Sequence, residues 1–178
     1  MEKPPTVLYK EEEINRRINE LAQQITTDYR GKELLLIGIL KGSIVLIADL
    51  LRALHKKGLT DADIDFVKIA SYGQSKKSNK NPTLLLDIAQ DISGKDVLVV
   101  EDIIDTGYTL SFLRNLLLQR NPLSLKILTF LDKKEKREVE VPVDYTGFQL
   151  KGTPWVEGYG LDGGAFGRGR PEIITKES

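Results

Sequence analysis

Apolar positions in residues 11–29 recur at Ile14, Ile18, Leu21, Ala22 and Ile25. That spacing keeps them on one side of a 3.6-residue turn and predicts an amphipathic helix. Residues 34–40 are a continuous apolar run, the pattern of a strand buried on both faces in a parallel sheet. Helical spacing resumes over 43–57 through Val45, Leu46, Leu50, Ala53 and Leu54, with Gly58 as a stop signal. Residues 64–70 alternate, with Ile64 and Phe66 on one face, and predict a strand. Residues 83–88 predict a short strand, 96–100 a buried one, 109–120 a helix and 125–131 another strand. Residues 133–138, Lys-Lys-Glu-Lys-Arg-Glu, are a charge run of the kind expected at a solvated turn. Short strands are expected over 145–150 and 155–160. Periodicity alone does not place these last two, and a small cap (hood) formed by terminal segments is one arrangement for them.

Buried strands alternating with helices predict an α/β fold, with a mostly parallel central sheet flanked by helices. No repeat, low-complexity tract or linker divides the chain, so residues 1–178 read as a single domain. Residues 71–82, Ser-Tyr-Gly-Gln-Ser-Lys-Lys-Ser-Asn-Lys-Asn-Pro, break the pattern. The segment is polar and lacks an apolar stripe. A loop of that length within a domain is either functional, here as a lid, or disordered.

Composition narrows the chemistry. Twenty-six basic residues balance 26 acidic ones, so no bulk field draws the chain to nucleic acid or a membrane surface. An anionic ligand would have to be held by local donors. The absence of cysteine removes disulfides and thiolate chemistry. The polar start, residues 1–10, does not read as a signal peptide. No apolar run approaches the roughly 20 residues that span a bilayer. Cytoplasmic residence is the expectation.

In open α/β sheets, ligands bind beyond the carboxyl ends of the strands. The apolar run ending at Val100 is followed by Glu101 and Asp102, then Ile103, Ile104, Asp105, Thr106, Gly107, Tyr108 and Thr109. Adjacent strand residues point to opposite faces. The two acids are therefore expected to meet sugar hydroxyls, with or without a bridging magnesium, rather than to clamp one metal symmetrically. They also suit a strand that simply ends in solvated acids. The segment Asp105–Thr109 can be an anion cradle at a helix start or an ordinary N-cap.

Taken whole, this run resembles the phosphoribosyl-pyrophosphate signature of the type I phosphoribosyltransferases. The resemblance extends over about residues 34–173 and is most specific to the hypoxanthine-guanine phosphoribosyltransferases. It implies a phosphoribosyl and 5′-phosphate site at Glu101, Asp102, Asp105, Thr106, Gly107, Tyr108 and Thr109. Asp105 is implied to be the general acid/base, since a neighbouring phosphate charge favours the protonated carboxyl. Leu40, Lys41 and Gly42 resemble the family's pyrophosphate turn, although a plain strand-to-helix turn has the same composition. Ser71 and Tyr72 resemble the Ser-Tyr pair that opens the family's lid, which would exclude water from an oxocarbenium-like centre.

The base-binding residues implied are Ile103, Lys133, Trp155 and Val156. Lysine only donates, so Lys133 would favour a 6-oxo over a 6-amino purine. Lys134 and Lys136 share its charge run, and Lys133 is preferred because it lies nearest the strand end. Trp155 either stacks on a base or packs in the core. The magnesium ligands implied are Glu101, Asp102 and Asp162, and Arg168 would pair with pyrophosphate. The glycine-rich stretch 163–169 departs from the family pattern and leaves Arg170 as an alternative to Arg168.

The implied partners are phosphoribosyl pyrophosphate and a 6-oxopurine, in a homodimer or homotetramer, with IMP or GMP as products. Two other readings share the fold. One is a phosphoribosyltransferase for xanthine or another nucleobase. The other is a phosphoribosyl-pyrophosphate-sensing RNA-binding regulator, which should show a concentrated basic face.

Overall fold

The computed structural model describes residues 5–71, 81–162 and 167–176. The predicted apolar stripe of the first helix, α1 (Glu11–Asp28), is buried at Ile14, Ile18, Leu21, Ala22 and Ile25. Strand β2 (Leu34–Leu40) then enters the sheet beside β3 (Ala62–Ser71) and β5 (Asp96–Ile104), parallel to both. Its apolar run is continuous because both faces are covered. Leu34 and Leu36 pack into a core with α1 and α2 (Ile44–Lys56), whereas Leu35, Ile37 and Ile39 pack into a second core with α3 (Tyr108–Leu118). In β5, Leu98 and Val100 join the first core and Val97 and Val99 the second. Each such side chain contributes about 1.5–3 kcal/mol through removal from water.

The main sheet has the order β4-β3-β2-β5-β6-β7, with β4 (Pro82–Leu86) antiparallel at one edge and β6 (Ser124–Asp132) and β7 (Tyr145–Gln149) parallel at the other. This is the predicted mostly parallel α/β sheet flanked by helices.

The cap differs from expectation in its membership. It is a three-stranded sheet of order β1-β9-β8, formed by β1 (Thr6–Tyr9), β8 (Trp155–Glu157) and β9 (Ile173–Lys176). Neither β1 nor β9 is predicted by the residue pattern. Each is four residues long, too short for an alternating signal. The expected cap strand at 145–150 instead extends the main sheet as β7. Its Gly147 allows that close pairing, because a Cβ there would lie 2.3 Å from the Phe130 carbonyl oxygen. Arg17 of α1 secures the strand by donating to the Thr146 and Gly147 carbonyls at 2.7 and 2.8 Å.

Candidate active site

Strand β5 carries the site because it outruns its predicted end. Pairing with β6 continues to Ile103↔Leu131 and Ile104↔Asp132. Glu101 and Asp102 are thus strand residues rather than solvated acids beyond it. Glu101 is buried, and its Oε2 has no hydrogen-bond partner. Asp102 Oδ1 accepts the Ile103 N–H at 2.9 Å.

Glu101 lines the cleft beside Asp105, whereas Asp102 lies against Gly42, yet the two carboxyls remain near neighbours. They lie close enough for each to act on the other. Burial, and then the Asp102 charge, push the Glu101 carboxyl well above the usual range. Burial also raises Asp102.

A raised folded-state value means that the fold favours the proton. The stability contributed by Glu101 is complete below its unfolded value, roughly 4.3, and is lost as pH rises through the folded one. We therefore expect Glu101→Gln, in divalent-free buffer, to melt a few degrees above the parent at pH 8, with the gap closing towards pH 4. Melting curves across that range test it, and a parent as stable as the variant at pH 8 contradicts it.

After Ile104 the chain turns through Asp105 and Thr106 into Gly107, whose φ of 91° is the left-handed conformation that glycine adopts cheaply. Helix α3 starts at Tyr108. Glu101, Ile103, Ile104, Asp105, Thr106, Gly107, Thr109 and Leu110 line a cleft of about 190 Å³. Backbone N–H groups and the dipole at the start of α3 suit an anion here.

The charge run that follows β6 is not the solvated turn expected of it. Only residues 134–136 form a 3₁₀ turn, and Lys133 and Arg137 on either side are packed against the loop. Lys133 is the buried lysine of the run. Its backbone N–H donates to Ile104 O at 3.0 Å and its Nζ lies 3.4 Å from Asp105 Oδ1. Burial lowers its ammonium from the usual range, and Asp105 opposes that shift. Lys136 Nζ is 3.7 Å from Asp105 Oδ2, and Lys134 is exposed. Arg137, with no role assigned from the sequence, donates to the Asp105 carbonyl and pairs with Asp132. Its position within a charge run concealed it.

The Leu40–Lys41–Gly42 turn reaches the same place from β2. The Leu40–Lys41 peptide is cis. Gly42 has no room for a side chain, since a Cβ would lie 1.8 Å from Asp102 Oδ2. Gly160 presses on the other side, where its Cβ would meet the Gly42 carbonyl at 2.3 Å. Tyr159 before it donates its hydroxyl to Asp49 of α2 at 2.8 Å. Trp155 is 59% exposed, which removes the core-packing alternative, whereas Val156 is buried and Ile103 partly so.

Arg168 donates to the Gly160 carbonyl at 2.6 Å and to Asp162 at 2.5 Å, and its charge reaches Asp102. Arg170 instead faces Glu157 and Glu172 at 3.8 and 3.4 Å. Of the expected lid, Ser71 ends β3, where it pairs with Pro82 of β4, while Tyr72 lies outside the described residues, as do 163–166 of the glycine-rich stretch.

The phosphoribosyl transferase domain family matches residues 6–162. A hypoxanthine-guanine phosphoribosyltransferase of Aquifex aeolicus is 40% identical over 172 residues, covering 96% of this chain and 94% of the relative. Another, from Dictyostelium discoideum, is 46% identical over 88% of this chain and 86% of its own. A crystal structure of a hypoxanthine-guanine phosphoribosyltransferase from Bacillus anthracis superposes with a TM-score of 0.88 at 40% identity, over 98% and 99% of the two chains. With a family match over most of its length and these relatives at 40% identity or more, the chain belongs to the phosphoribosyltransferases, in the group of the hypoxanthine-guanine enzymes.

Proposed function

We propose that the chain transfers the 5-phosphoribosyl group from phosphoribosyl pyrophosphate to hypoxanthine or guanine, releasing pyrophosphate and forming IMP or GMP in purine salvage. The observation that carries this reading is the ion pair between buried Lys133 and Asp105, at the ends of adjacent strands and beside the phosphate-sized cleft. A donor-only group and a proton-accepting group are thereby held together where the sugar phosphate would end. In this reading Thr106–Thr109 hold the 5′-phosphate and Lys133 donates to the purine 6-oxo group. Trp155 covers the base and Val156 contacts it. Asp105 takes the proton shed at the attacking imidazole nitrogen. Leu40–Gly42, Ser71, Tyr72 and Arg168 serve the pyrophosphate.

The residues also fit magnesium. Among the described residues no cluster of three or more side chains could hold a metal alone. The unpartnered, buried Glu101 Oε2 and the adjoining Asp102 nevertheless form an oxygen-only donor set. Magnesium prefers such ligands and completes its shell with substrate oxygens and water. Glu101 and Asp102 would hold it on the ribose side and Asp162 on the pyrophosphate side. When bound it supplies positive charge to the departing pyrophosphate. Residence in the cytoplasm and assembly as a homodimer or homotetramer belong to the same reading and are supported by the resemblance. No helix among the described residues is long and apolar enough to cross a membrane.

The direct test mixes the chain with magnesium, phosphoribosyl pyrophosphate and each nucleobase, and follows nucleotide formation by absorbance. IMP and GMP are the expected products, and no product from either base refutes the assignment. Lys133→Met should lower kcat/KM for hypoxanthine by about 10- to 150-fold, the loss of one charged hydrogen bond. An unchanged kcat/KM would remove Lys133 from base recognition.

A further inference from the structure

We infer that residues 137–139 form a strap that orients the phosphate loop, and that Arg137 is its positioning residue; the inference rests on the phosphoribosyl reading above. Arg137 Nε donates to the Asp105 carbonyl at 3.1 Å. The backbone N–H groups of Glu138 and Val139 both donate to the Thr106 carbonyl at 3.0 Å. Two consecutive loop carbonyls therefore face the strap. In a trans peptide the N–H points opposite to the C=O. The N–H groups of Thr106 and Gly107 accordingly point away from the strap. That is the side of the cleft, which Thr106 and Gly107 line and residues 137–139 do not. An anion cradle is made of such aligned donors. Gly107 is pressed against the strap, where a Cβ would lie 2.3 Å from the Val139 carbonyl oxygen and 3.0 Å from Arg137 Cδ.

The strap is anchored by an ion pair. Arg137 Nη2 is 2.5 Å from Asp132 Oδ1, with side chains 6% and 9% exposed. Such a pair is a poor source of net stability compared with apolar residues of similar volume. What it supplies here is position. Asp132 is the last residue of β6, so the guanidinium carries the frame of the sheet to the Asp105 carbonyl. Lys133 follows Asp132 directly, and the same short segment sets both the base-reading lysine and the loop opposite it.

The test compares the parent with two variants. Asp132→Leu/Arg137→Met replaces the whole ion pair and leaves no unpaired buried charge. Arg137→Lys keeps a charge beside Asp132 but lacks the second nitrogen of the planar fork that reaches the Asp105 carbonyl, and it decides the question if the double variant does not fold. Ribose 5-phosphate probes the loop, and magnesium pyrophosphate probes the other end of the site, both by calorimetry. In each folded variant the Kd for ribose 5-phosphate should rise about tenfold, the effect of weakening one charged hydrogen bond. Binding stoichiometry and the Kd for pyrophosphate should stay at the parent values, and KM for phosphoribosyl pyrophosphate should rise more than kcat falls. An unchanged Kd for ribose 5-phosphate overturns the inference, as does parallel weakening of both probes, which marks a general loss of structure. Turnover by the parent is measured separately. Its failure would count against the proposed activity, while the ribose 5-phosphate comparison would still decide the strap.

Discussion

Asp105→Asn is expected to lower kcat by about 10²- to 10⁴-fold, the usual contribution of a positioned acid or base, with little change in affinity for phosphoribosyl pyrophosphate. The separation follows from where the two halves of this residue point. The Asp105 carbonyl is bound by Arg137, and the loop it begins lines the cleft proposed to take the phosphate. An asparagine leaves that backbone in place. The Asp105 carboxylate is a different matter. One oxygen faces buried Lys133 and the other faces Lys136. An amide of the same shape cannot accept the purine proton.

The substitution also removes the charge that opposes the burial-driven fall of the Lys133 ammonium. Without it Lys133 releases its proton more readily. Residual activity of the variant should therefore decline at a lower pH than the alkaline limb of the parent. Steady-state kinetics from pH 6 to 10, with calorimetric titration of phosphoribosyl pyrophosphate, measure both effects. A kcat near that of the parent would sink the proton-transfer role.

Gly42→Ala is expected to cost about 1–3 kcal/mol of stability, as overpacking does, and to reduce kcat/KM for phosphoribosyl pyrophosphate by 100-fold or more, since misplacement of about 1 Å can cost that much. A methyl group there would lie 1.8 Å from Asp102 Oδ2. Asp102 cannot simply swing aside, because its Oδ1 accepts the Ile103 N–H at 2.9 Å. Nor can the turn retreat easily, because Gly160 presses on the Gly42 carbonyl from the other side. Relief requires moving either Asp102 or the Leu40–Gly42 turn, the two groups proposed to serve the ribose and the pyrophosphate. Thermal melts and initial rates check the two parts. A variant with the kinetics of the parent would show that the contact is slack.

Much of this was legible along the chain, because it is local. Residues 34–40 and 96–100 announced doubly covered strands by having no polar face, and Ile14 to Ile25 announced a one-sided helix. The Glu101–Thr109 run could be singled out as a candidate sugar-phosphate loop, since its acids, glycine and threonines are neighbours in sequence. Other features depended on partners far away in the chain. The cap needed β1 and β9, separated by more than 160 residues, and each is a four-residue strand whose signal is its partner. Tyr145–Gln149 read as a cap strand, and pairing with β6, which Gly147 permits and Arg17 secures, put it at the edge of the main sheet.

Within the site the division is the same. The residue pattern named the residue types that suit phosphate, ribose and base, the roles proposed for them above. Tertiary structure added that Lys133, already favoured over Lys134 and Lys136 by its place at the strand end, is buried against Asp105. It placed Arg168 on Asp162 while Arg170 turns to Glu157 and Glu172. It also set Asp102 against Gly42, a turn some 60 residues earlier in the chain, and Glu101 on the cleft. The physical reason is that burial and charge pairing are properties of the space between elements. Within the charge run 133–138, nearness to the strand end marked Lys133, but nothing marked Arg137 until the sheet edge turned it inward.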